Sequence, residues 1–315
     1  MHPAYSVIGF TAASGAGYGL LIWMAIAWLT GQTPASVSFV VLGLGLAIVL
    51  VTGGLLSSLL HLGRPERAWR ALSQWQSSWL SREGVGAVAT YVPIAALGLG
   101  WLFADGRPFW LIAAAVLTIV GALVTVWCTG MIYASLSTIR EWAHPLVAPL
   151  YVILAIMTGG ILFNVLIAAW SASSGVAIWG GVFFLICGWF LKVVYWTEID
   201  RFVRTKTAAD ATGLGRFGEV RVLEPAHTQP NFVMREMGYQ IARKHVESLR
   251  QLATACLFIV PSLCLIVLFA AVPWLAAIVS ILAVASGVVG VLTERWLFFA
   301  EARHMSMLYY GLDAA

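Results

Sequence analysis

An all-α polytopic membrane protein with eight transmembrane helices is the fold class this sequence predicts, and three observations predict it. Of 315 residues, 61% are hydrophobic and 10% charged, against about 25% charged in an average soluble domain, so most of the chain needs apolar surroundings. Apolar runs able to cross a hydrocarbon core of about 30 Å, at about 1.5 Å per helical residue, recur along the whole length. The runs are rich in Leu, Val, Ile, Ala and Gly and lack the period-two alternation of a membrane barrel, so a helical bundle is what satisfies their backbone in lipid. A soluble enzyme is excluded.

The runs fall at 7–30, 38–60, 84–103, 109–138, 146–170, 176–196, 251–272 and 273–299, within one integral membrane domain spanning 1–315. The first follows a stretch without a basic n-region or small-residue cleavage site and reads as a retained helix rather than a signal peptide. Inside it, Ser14-Gly15-Ala16-Gly17-Tyr18-Gly19 either lets a second helix approach closely or leaves room for a flat ring beside Tyr18. The second run stops before Pro65, which cannot continue a helix. Asn164 in the fifth is expected to make an interhelical hydrogen bond. Lys192 in the sixth is placed about one turn from the polar end, where its stem can snorkel and its head stay wet. The seventh and eighth runs are split only by Val272-Pro273-Trp274, and Glu294-Arg295 near the chain's end can pair with each other. Cys128, Cys187, Cys256 and Cys264 all lie within runs and form no CxxC or Cys/His cluster, so they read as packing residues and no metal site is expected.

Eight spans put both termini on one side, together with the loops 61–83, 139–145 and 197–250. Of the 18 Lys and Arg residues, all but Arg107, opposite, and Lys192, within a span, fall on that side. The positive-inside rule makes it the cytoplasmic face. All six histidines lie on the same side or at its membrane boundary. A transmembrane haem chain needs axial ligands facing one another within the spans, which argues against one here.

Two polar regions can carry chemistry. The first is His61-Leu62-Gly63-Arg64-Pro65-Glu66-Arg67-Ala68-Trp69, continuing through Trp75 and Trp79 to Ser81-Arg82-Glu83. It is short, cationic and aromatic, the composition of a segment lying at the membrane interface. His61 falls at the end of the second span and Glu83 at the start of the third, so both flank one membrane-edge pocket. They are either helix-end residues, a cap and a charge complementing a helix N-terminus, or a pair that exchanges protons with a lipid-soluble carbonyl compound of the quinone type. The second region is the loop 197–250, a candidate docking surface for a cytoplasmic protein because it mixes Arg, aromatic and proline residues. Its Gly213-Leu214-Gly215-Arg216-Phe217-Gly218 run mimics a dinucleotide fingerprint but has no preceding strand.

The His61–Trp69 stretch, Ser81-Arg82-Glu83, Met1-His2-Pro3-Ala4-Tyr5-Ser6-Val7-Ile8, Ala211-Thr212-Gly213-Leu214-Gly215-Arg216 and Glu294-Arg295-Trp296-Leu297-Phe298-Phe299-Ala300-Glu301 together resemble the membrane anchor subunit family of dimethyl sulfoxide reductase-type molybdoenzymes. The last three look most like the branch serving cytoplasmic, quinone-linked sulfite dehydrogenases. The resemblance implies eight helices, partner subunits carrying molybdopterin and [4Fe-4S] clusters, and electron exchange with ubiquinone or menaquinone in a bacterial inner membrane, with no metal on this chain. It implies that His61 and Glu83 are the quinone-site pair, with Arg64, Arg67 and Trp79 as further anchors of the headgroup or of the iron-sulfur partner; Tyr18 is a further quinone candidate from the small-residue stripe alone. The other readings are a quinol-oxidising anchor of a sulfoxide-type reductase, a purely structural anchor, and a transporter. The last calls for inverted repeats with broken helices, which this sequence does not display.

Overall fold

The computed structural model describes residues 3–170, 175–202, 206–224, 227–229, 231–237 and 245–310, and within these the side chain of His61 is not described. Met1, His2 and the basic run Ala242-Arg243-Lys244 lie outside the described residues. The described chain is helical, with eight helices long and apolar enough to cross a membrane. We number them α1 (Tyr5–Thr30), α2 (Val37–Ser57), α3 (Trp79–Phe103), α4 (Phe109–Ala134), α5 (Val147–Ala169), α6 (Gly175–Arg201), α7 (Val246–Leu268) and α8 (Pro273–Ala300). Apolar side chains face outward as well as inward, from Val49 on α2 and Val92 on α3 to Ile281 on α8. A helix apolar all round is one whose outer face meets lipid.

The central helix is α1. It packs against α2, α4 and α5, and more lightly against α8, while α3 pairs with α4, α5 with α6, and α7 with α8. Its glycines make this possible. A Cβ on Gly19 would overlap the backbone of Ala155 in α5, and one on Gly159 would overlap the backbone at Gly19, so these two helices cross with their main chains in contact. Gly17 is pressed in the same way against Ala47 and Val51 of α2. The space left by the small residues is therefore filled by neighbouring helices, the close approach that is one of the two readings of that stripe.

The boundaries depart from hydropathy where polar residues are helical. α3 begins at Trp79, with Ser78 Oγ accepting from the Ser81 N–H at 3.5 Å, so Glu83 stands in the second turn and not at the helix start. α6 continues to Arg201, five residues past the apolar run. At its middle α7 contains a π-helical segment, Ala255–Ile259, just before Pro261. Pro261 has no N–H for a regular helical bond, and a widened turn accommodates that loss.

Between α2 and α3 the chain forms two 3-10 segments, Ser58–His61 and Pro65–Gln74. The second packs on α3, with Leu72 against Gly84. The long polar loop folds back on the C-terminal segment: Tyr309 donates to the Ala211 carbonyl at 2.7 Å, and His227 stacks on Tyr310. Gly213 sits at φ 68° as the cap of the five-residue helix Ala208–Thr212. Thr207 and Asp210 cap its other end reciprocally, and the Thr207 hydrogen bonds hold the Asp210 carboxyl below its ordinary range.

Candidate functional site

Glu83 is 4% exposed, an acidic side chain drawn into the interior one turn inside the end of α3. Its Oε1 accepts a hydrogen bond from the Thr129 hydroxyl of α4 at 2.6 Å. A buried carboxyl needs such a partner, since an unpaired one is expensive to desolvate. Around it the helices supply short polar side chains: Thr90 and Thr125 face each other at 3.4 Å, and Thr52 and Tyr91 are 2.6 Å apart. Tyr18 belongs to the same patch. Its buried hydroxyl turns toward Thr125 without closing a hydrogen bond, within electrostatic reach of Glu83 and Tyr91. Two residues before Glu83, the Ser81 hydroxyl is also buried without a partner.

The structure thus places Tyr18 within electrostatic reach of Glu83. Arg64 and Arg67 are exposed on the surface segment, with Arg67 Nε 3.9 Å from Glu66, and Trp79 is half-buried at the start of α3. The backbone of His61 ends the 3-10 turn after α2, and its side chain lies outside the described residues. Arg82, which sequence reasoning left without a role, holds the interfacial segment to α3. It donates to the carbonyls of Trp75 and Gln76 at 2.9 and 2.6 Å and lies 4.3 Å over the Trp79 ring.

A second polar group lies deeper than the sequence indicates. Lys192 is 1% exposed and ion-paired with Glu294, whose other carboxylate oxygen accepts from Arg295 Nε at 2.5 Å. Arg295 also spreads over the Tyr151 ring at 4.2 Å. The expected pairing of Glu294 with Arg295 is present, whereas the expected snorkelling of Lys192 is corrected. Lys192 is nine residues from the end of α6, more than two turns, too far in to reach water, and it is held by a carboxylate on another helix.

Between the two groups is a cavity of about 20 Å³ lined by Thr11, Ser14, Thr129, Tyr151, Thr158 and Arg295 among others. At the membrane face, a cleft of about 560 Å³ opens between Glu141, Asp200, His245, Glu247, Arg250 and Glu301. Arg250 bridges Asp200 and Glu301 across it, at 2.5 and 2.9 Å. Nearby, His144 Nδ1 accepts from the Leu146 N–H, so Nε2 carries the hydrogen donated to Glu198 at 2.6 Å. That contact, unassigned from sequence, ties the 139–145 loop to α6. Asn164 donates to the Ala177 carbonyl of α6 at 3.0 Å, the interhelical bond expected of it. Among the described residues no three His, Cys, Asp or Glu side chains converge as metal ligands.

Residues 1–312 match the family described as DMSO reductase anchor subunit (DmsC). The chain is similar to one of the subunits of sulfite dehydrogenase from Allochromatium vinosum, at 32% identity over 98% of this chain and 99% of that protein. It is also similar to one of the chains of the anaerobic dimethyl sulfoxide reductase from Escherichia coli, at 29% identity over 55% of this chain and 59% of that one.

Proposed function

This chain belongs to the DMSO reductase anchor subunit family, and from that premise we propose that it is the quinone-reactive membrane anchor of a molybdenum and iron-sulfur oxidoreductase that oxidises sulfite. Its end-to-end similarity to a sulfite dehydrogenase subunit supports that substrate over the sulfoxide reading, for which the matched relative aligns over little more than half. The chain sits in a bacterial inner membrane with both termini and the charged loops in the cytoplasm, where the Lys and Arg excess favours them. Its partners are an iron-sulfur subunit and a molybdopterin subunit on that face. Leu214, Phe217, Leu223 and Phe232 stand exposed on the long loop, apolar anchors of the kind that fill a partner's surface.

The observation that carries the quinone reading is the interior carboxyl of Glu83, hydrogen-bonded by Thr129 and beside the unpartnered Tyr18 hydroxyl. These groups fit a ligand whose carbonyl oxygens accept hydrogen bonds and then protons, with Arg64, Arg67 and Trp79 at the headgroup's entrance. Ubiquinone or menaquinone, when bound, takes up two electrons and two protons and departs as the quinol. Glu83 holds a proton at its carboxyl in a place shielded from bulk water, and Thr129 fixes the orientation of that carboxyl. His61 supplies the second proton from the membrane edge. The molybdenum chemistry and the clusters belong to the partners.

The test is sulfite-driven quinone reduction by the purified complex carrying Glu83→Gln or His61→Ala. Both variants should keep their partners and their reduction of an artificial dye while quinone turnover falls about a hundredfold, the usual size of a general acid contribution. Native quinone turnover in both would return the pair to structural roles.

A further inference from the structure

We propose that the quinone reaches Glu83 sideways from the lipid, through the seam between α2 and α3, and that Tyr91, held by Thr52 across that seam, donates to the ring oxygen farther from Glu83. This deepens the quinone reading and rests on it for the identity of the ligand, while the seam itself is a property of the fold.

Glu83 is buried, so a ligand with an apolar tail has to come to it between two helices. Glycines decide which two. On one side α2 is locked to α1: a Cβ on Gly17 would strike Val51 and the Ala47 carbonyl, and one on Gly54 would strike the backbone of Ser14. On the other side α3 is locked to α4, where Gly121 lies against Thr90 and Gly86 against Thr125. Between these two close pairs α2 and α3 touch only lightly, with Leu44 against Gly98 and Thr52 against Tyr91. A tightly packed contact resists displacement, whereas a light one parts with little loss of dispersion attraction. The seam is therefore where this side of the bundle opens at least cost. Within four residues of its polar pair, Val49 and Leu56 on α2 and Val88 and Val92 on α3 are exposed, as helix faces in contact with lipid are.

The polar pair supplies the contact. Thr52 and Tyr91 are both half-buried, and their hydroxyl oxygens stand 2.6 Å apart. Two hydroxyls bring two hydrogens, of which the bond between them uses one. With Thr52 donating to the phenol oxygen, Tyr91 keeps its own hydrogen for a ligand and Thr52 fixes where the phenol points. The two cross-seam contacts set α2 and α3 antiparallel. In that register the eight residues from Tyr91 back to Glu83, about 12 Å along the axis, run beside the end of α2 and the 3-10 turn Ser58–His61. Side chains on a helix lean toward its N-terminus, so Tyr91 leans toward Glu83. The quinone then lies along α3, one ring oxygen toward Glu83 and the other on Tyr91, its tail leaving through the seam. Tyr18 of α1, within electrostatic reach of both Tyr91 and Glu83, stands behind it.

The experiment has two arms, both on the purified three-subunit complex. In the first, a short-tailed ubiquinone carrying a ring azide is photolysed in the membrane, and the label that excess unmodified ubiquinone competes away is mapped. It should fall on α2 and α3, between Ile48 and Leu55 and between Gly84 and Tyr91; competed label confined to other helices overturns the route. The second arm is the kinetics of sulfite-driven ubiquinone reduction. Tyr91→Phe should raise KM about fivefold, the size of one lost hydrogen bond, with kcat within about twofold of native. Thr52→Val should raise KM about twofold and Thr52→Ser should not, while in the Tyr91→Phe background Thr52→Val should add nothing. Thr293→Val, which removes a hydroxyl bonded only within its own turn of α8, is the control and should leave KM unchanged. A native KM in Tyr91→Phe overturns the contact. Label elsewhere together with lost quinone turnover in Glu83→Gln would leave the quinone site standing and remove only the entrance. Label in the seam together with native turnover in Glu83→Gln would keep the entrance and remove Glu83 from its end.

Discussion

Three charges share a water-excluded interior at Lys192, Glu294 and Arg295, and Glu294 is the only anion among them. Burying ions is repaid only when each finds a partner, and removing one partner strands the others at a cost of about 3–5 kcal/mol. Glu294→Gln should therefore lower the thermal midpoint of the detergent-solubilised complex by on the order of 10 °C. Arg221→Gln, which breaks the exposed Arg221–Glu219 pair, should leave it within about 2 °C, because surface pairs contribute about 0–1 kcal/mol. Equal shifts would mean that the buried cluster is not the stabilising element its geometry implies. At this scale Glu83 was legible from its motif, but its partner was not. Thr129 lies on another helix and looks in sequence like Thr118 or Thr158, which merely bond the carbonyl four residues back. The Lys192 pairing was hidden for the same reason: a lysine near the end of an apolar run fits snorkelling as well as burial until the facing helix is placed.

Helices α1 and α5 meet main chain to main chain, and that contact holds the polar patch in register because α1 carries Tyr18 while α5 carries Tyr151. Gly19→Ala should force the pair apart, at the roughly 1–3 kcal/mol or more that overpacking costs. Gly45→Ala, where an added methyl meets open space, is the matched control and should be neutral or slightly stabilising. Melting curves of the two variants check this, and equal midpoints would show that the α1–α5 crossing relaxes without loss. All eight helices were legible, since length and apolarity alone select them. Their polar ends were not, because Trp79 to Glu83 and Thr197 to Arg201 are helical through capping and tertiary contacts that a hydropathy window does not register.

Across the whole molecule, the interfacial segment, the 139–145 loop, the cleft and the long loop share one end of the bundle. Arg107 stands at the other end, donating to the Leu29 carbonyl at 3.2 Å where α1 terminates. A cation at a helix C-terminus is favourable whichever side it faces, so the orientation rests on the excess of Lys and Arg at the opposite end. Placing that end in the cytoplasm puts electrons from the partner and the protons for His61 and Glu83 on one side of the membrane, so turnover should move no net charge across it. Ser73 on the interfacial segment and Asp105 between α3 and α4 are both exposed, and report the two ends without touching the buried groups. The four native cysteines lie on the helices, Cys128 and Cys264 buried and Cys187 and Cys256 partly so, which makes the unsubstituted protein a usable background. A membrane-impermeant maleimide added to inverted vesicles should label Ser73→Cys and spare Asp105→Cys, and added to spheroplasts should do the reverse. The opposite pattern would put the catalytic partners outside the cytoplasm and turn the assignment toward an exported enzyme drawing electrons from quinol, because protons would then be released to the side on which the substrate is reduced.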